Sequence, residues 1–87
     1  MASIAEVKAA IDAAMQQVTD VQAAIRAASE QLTGAQQMLA AALEGTGHES
    51  VGAAQAALAQ AAQELEECLN ATLLATEQAQ SYVAALG

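Results

Sequence analysis

Proline, phenylalanine and tryptophan are missing from this 87-residue chain, tyrosine and cysteine occur once each, and only two residues are basic. Each absence excludes something. Without proline, and with only five glycines, little is left to punctuate a many-stranded fold. Two Lys/Arg against ten Asp/Glu give a formal net charge of -8. Nucleic-acid binding needs cations to replace counterions and usually aromatic rings to stack bases, and neither is supplied. Anionic membrane surfaces repel such a chain for the same reason. The longest stretch free of polar residues runs from Met38 to Leu43, against the ~18 residues or more that a spanning helix needs. The single Cys68 excludes an intrachain disulfide framework and fits a reducing compartment. The opening segment, Met1 to Lys8, has no basic region followed by an apolar one, so no ordinary cleavable signal peptide is expected. The expected location is the cytoplasm.

Alanine fills the space these absences leave, with 26 residues in a chain that is 55% hydrophobic. Ala ranks first in helix propensity while burying little area, and disorder is disfavoured because apolar surface is not lacking. The expected fold is all-α. Period-seven spacing dominates the first half: with Ile4 at heptad position a, the a positions are Ile4, Ile11, Val18, Ile25, Leu32 and Leu39. Val7, Ala14, Val21, Ala28, Ala35 and Ala42 then fall at d. Val7-Lys8-Ala9-Ala10-Ile11-Asp12-Ala13-Ala14 recurs fourteen residues later as Val21-Gln22-Ala23-Ala24-Ile25-Arg26-Ala27-Ala28, which supports one continuous helix.

Turn and capping residues divide the chain into a helix over 3–44, a turn over 45–50 and a helix over 51–86, forming a single helical-hairpin domain over 1–87. Ser3 with Glu6 three residues on reads as a capping box. Gly45 can take the left-handed conformation past the first helix, and Thr46 (with Glu49) or Ser50 can open the second. In the second helix Val51, Leu58 and Leu65 continue the a row and Ala54, Ala61, Cys68 and Ala75 the d row. Thr72 and Ala79 weaken this seam, while Leu69, Leu73 and Val83 pull the apolar stripe sideways, as Met15, Met38 and Leu43 do on the first helix. Two helices in a hairpin cover each other on one side only, so two hairpins are expected to pair into a four-helix bundle. Small residues at d are expected to bring the helix axes close. Cys68 is expected in the seam, roughly opposite Ile25, as a packed thiol of low reactivity, with a redox role or a disulfide linking two subunits as the competing reading.

Candidate chemistry is sparse. His48 is the only histidine, sits in the turn and reads as solvated. No Glu-x-x-His pair of a di-iron bundle occurs. Glu64, Glu66 and Glu67, with Glu77, form the densest acidic cluster and read as an outer, solvated face. Lys8 with Asp12 and Arg26 with Glu30 are i,i+4 pairs in the less favourable order. No Gly-rich phosphate loop, Cys-x-x-Cys pair or nucleophile elbow is present. No catalytic residue, cofactor or metal ligand is therefore assigned, and an enzyme is not expected.

An acidic helical hairpin of this length with glycine in its central turn resembles the WXG100 (ESAT-6-like) family of type VII secretion systems. The resemblance covers the whole chain. At the turn, where that family has Trp-x-Gly, this chain has Gly45-Thr46-Gly47, so Gly47 corresponds and the tryptophan is replaced. Where the family carries Tyr followed four residues later by Asp or Glu, Tyr82 is followed by Leu86. The resemblance implies a homodimer or a heterodimer with a related helical hairpin, acting through partner proteins and exported without a cleavable signal peptide. An intracellular coiled-coil scaffold, touching a larger assembly through exposed residues such as Leu74, is the other reading.

Overall fold

Ser3 opens the first helix, its hydroxyl accepting the Glu6 N–H at 3.1 Å. In the computed structural model, which describes residues 2–45 and 47–87, α1 runs Ile4–Ala42 and α2 runs Glu49–Ala85. Among the described residues there is no strand. The two helices lie side by side in an elongated hairpin of 64 × 18 × 15 Å. Leu43 caps α1 by donating its N–H to the Leu39 carbonyl at 3.0 Å. Gly45 then turns the chain at φ 81, a left-handed value that costs any other L-residue steric strain.

The second helix starts earlier than expected and on a different cap. Thr46 lies outside the described residues, and Ser50 is already inside the first turn. His48 is the N-cap: its backbone is extended (φ -74, ψ 136), and its Nδ1 accepts the Ser50 N–H at 3.1 Å. A ring nitrogen thus does the work usually given to a Ser or Asp oxygen.

The covered seam departs from the expected heptad assignment. The a positions Ile11, Val18, Ile25, Leu32 and Leu39 do face α2, but the row beside them is e, not d: Met15, Gln22, Ser29, Gln36 and Leu43 are wholly or half buried. On α2 the same holds for Val51, Leu58, Leu65, Thr72 and Ala79 with Gln55, Ala62, Leu69, Thr76 and Val83. The d residues Ala14, Val21, Ala35 and Ala42, with Ala54, Cys68, Ala75 and Tyr82, are exposed, and only Val7, Ala28 and Ala61 are half-buried. Both choices satisfy the alternating 3–4 spacing, and bulk decides between them. Met15, Leu43, Leu69 and Val83 carry more removable apolar area than the alanines at d, at ~25 cal/mol per Å².

Ile25 is the one buried hydrophobic side chain among the described residues, 8% exposed, and Gln22, equally covered, lies one turn before it. The Gln22 amide donates from Nε2 to Thr76 Oγ1 at 3.4 Å. Thr76 in turn donates to the Thr72 carbonyl at 3.0 Å, and the Thr72 hydroxyl donates to the Leu69 carbonyl at 2.7 Å. Cys68 is exposed. The packed thiol expected in the seam is therefore corrected: its d row faces solvent.

Three stability measurements check this packing. Ile25→Ala is expected to cost ~2–5 kcal/mol in denaturant unfolding, while Met38→Ala, at a site 74% exposed, stays within ~0.5 kcal/mol of the parent. Gln22→Leu is expected to raise stability by ~1 kcal/mol, because it removes a buried amide whose partner Thr76 keeps its bond to Thr72. For the backbone, Gly34→Ala, where an added Cβ meets open space in mid-helix, should stabilise by ~0.5–1 kcal/mol. Gly45→Ala, at positive φ, should destabilise by ~1 kcal/mol or more, read as opposite shifts of the thermal midpoint.

Candidate functional site

Helix geometry gives the hairpin two unlike sides. On one, α1 and α2 part to form two open grooves. The larger, about 420 Å³, is lined by Arg26, Ser29, Glu30 and Thr33 of α1 and Ala62, Glu66 and Leu69 of α2. The smaller, about 260 Å³, lies between Ile11, Asp12 and Met15 and the α2 residues Gln80, Val83 and Ala84. Both are flanked by b positions, so in an antiparallel pair the d positions of both helices flank the opposite side.

Charge follows the same division. Asp12, Arg26, Glu30 and Glu66 line the grooves. No d position on either helix is charged, and of the g positions beyond them only Glu64 is. The far side holds Val21 and Tyr82, 48% and 54% exposed, with Met38 beside the d row of α1.

The residues singled out for chemistry do not converge. His48 is committed to the α2 cap. Glu64 and Glu67 accept from the Gln60 and Gln63 amides, one helical turn earlier, at 3.2 and 3.4 Å. Glu66 faces the larger groove, and Glu77 is exposed elsewhere on α2. Among the described residues, no group of three or more His, Cys, Asp or Glu could hold a metal ion. No helix of the structure is long and apolar enough to cross a membrane. At the C-terminal end Tyr82 is exposed, while Leu86 is half-buried and closes α2, its N–H directed at the Tyr82 and Val83 carbonyls at 3.1 and 3.2 Å.

Two structural roles escaped the sequence reading. Gln22 is a seam residue, and its only signal was its place three residues before Ile25, on a row shared with Ser29 and Gln36. His48 as a cap could have been suspected from its position directly before Glu49 and Ser50. What the arrangement offers is surface, with a grooved side that carries Asp12, Arg26, Glu30 and Glu66 and a far side whose d rows are uncharged and which has Glu64 at its margin. Compared with protein-family models, curated proteins and solved structures, the chain matches none of them.

Proposed function

We propose that the chain is a non-enzymatic protein–protein interaction module that pairs with another helical hairpin to complete a four-helix bundle. One observation carries this reading: the hairpin leaves far more surface uncovered than a chain of its mass normally does. A compact folded chain of 8.7 kDa exposes about 4,700 Å², whereas this one exposes 6180 Å². Its radius of gyration is 19.6 Å, against about 12 Å for a compact domain of this length. The partner is a second copy or a related hairpin, with nucleic acid and membrane disfavoured by the acidic charge.

The WXG100 resemblance supplies a context for such a module: a divergent relative linked to type VII secretion, with Gly47 in the turn and Tyr82 near the end of α2. A second reading, an intracellular coiled-coil scaffold, is favoured by Leu74, 56% exposed on α2 next to the exposed Leu73. A type VII membrane ATPase encoded beside the chain would favour the first.

Export measures the difference. In a host with a working type VII system, the chain is expected in the medium only when the ATPase is active. Leu86→Glu, which completes the Tyr-x-x-x-Asp/Glu pattern, is expected to raise the exported fraction several-fold. Retention in the cell regardless of both would sink the secretion reading and leave the scaffold.

A further inference from the structure

We propose that the uncharged side of the hairpin, marked by Val7, Val21, Met38, Cys68, Ala75 and Tyr82, is the surface on which a second copy of this chain docks. The inference rests on the interaction-module reading and commits it to one side and one partner. Area is the first argument. The hairpin exposes about 1,400 Å² more than a compact chain of its mass. A standard protein–protein interface takes about 800 Å² from each partner, so one such contact removes much of the excess.

Charge is the second argument, and it selects both the side and the occupant. Two copies each carrying -8 repel least where carboxylates are fewest, and beside the d rows only Glu64, at g, is charged. The grooves hold three carboxylates, Asp12, Glu30 and Glu66, against one cation, Arg26, so two copies meeting there would bring more acids than bases together, and like charges brought together in an interface cost several kcal/mol. The d rows of both helices hold no charge. A cationic partner, by contrast, would find its counter-charges along the grooves and none at d. An uncharged surface on an otherwise acidic chain fits a partner that is itself acidic.

Side-chain size is the third. Val21, Met38 and Tyr82 are large apolar groups left in water on this side, and burying them is favourable. The exposed Ala14, Ala35 and Ala75 between them let facing helices approach toward ~8 Å. Tyr82 can bury its ring while its hydroxyl stays wet at the rim.

Sedimentation equilibrium of the full chain, from submicromolar to hundreds of micromolar, tests the assignment. Wild type is expected to reach twice 8.7 kDa as concentration rises. Val21→Glu and Ala75→Glu, on the uncharged side, are expected to raise the dissociation constant about 100-fold, the order for a carboxylate left unpaired inside an interface. Ala75 is exposed, so that variant keeps the hairpin, as unchanged circular dichroism will show. Leu73→Glu, on the grooved side, is expected to leave association unchanged. Thiol labelling of Cys68 reads the same surface: its rate in native protein should be fast when dilute and fall as the dimer forms. Dimers that survive Val21→Glu and Ala75→Glu but not Leu73→Glu, or a Cys68 rate indifferent to dimer formation, overturn the side while the interaction reading stands. A wild type that stays at 8.7 kDa throughout overturns the second copy; if a related hairpin then doubles its mass, the interaction reading survives, and if none does, that reading falls too.

Discussion

Two cylinders in contact cover each other along one line. Everything else in this molecule follows from how little that line can bury when nearly a third of the side chains are single methyl groups. A helix of ~40 residues needs an apolar stripe some 100° wide to be held in a globular domain, and the partner helix covers only part of it. Hence the extended shape, the half-buried rather than buried seam, and Ile25 standing alone as a covered hydrophobe among the described residues. In larger domains a core fixes a site, and the site then does the chemistry. Here the interior is reduced, among the described residues, to Ile25 and Gln22, and most of every helix side meets water.

Within that constraint, competition between two equally spaced rows decides the architecture. The a row is common to both solutions and bulky on α1. The e row adds Met15 and Leu43 on α1 and Leu69 and Val83 on α2, at the cost of taking Gln22, Ser29 and Gln36 into the seam. The d row would have given seven alanines, one thiol, Val7, Val21 and Tyr82. Larger area outweighs the polar atoms because Gln22 finds Thr76 and the threonines bond back to their own helix, so the enclosed polar groups are met rather than stranded. Turning the e row inward turns the d rows outward, and this places two uncharged rows in solvent.

Features set by local chemistry were legible in the sequence. Ser3 caps α1 through the Glu6 N–H, Gly45 takes the left-handed turn, and the a positions from Ile11 to Leu39 face inward because both candidate seams share them. The placement of Cys68 was not legible. Ala at d and mixed residues at e obey the same 3–4 rule, and preferring the row without polar residues misassigned the flank. The polar seam was hidden because Gln22 is acceptable there only through Thr76, 54 residues away in sequence. His48 failed as a legible cap because its side chain serves many roles, whereas serine at a helix start serves mainly one. The candidate surface inherited the same error: the charge-free row was visible, but it was taken for the inside of the hairpin.

The thinness of the seam also governs how the chain responds to temperature. Exposure of apolar area on unfolding is what raises the heat capacity, and a globular chain of this length gains ~1.1 kcal/mol/K. A single hairpin that hides one isoleucine and a half-covered stripe must gain much less. Its stability curve is then shallow, with no sharp optimum and a broad melt, and cold weakens it little. Any surface that a second hairpin covers adds apolar burial to the transition. Curvature in the stability of the single hairpin is therefore slight, and a marked curvature would report surface covered beyond it.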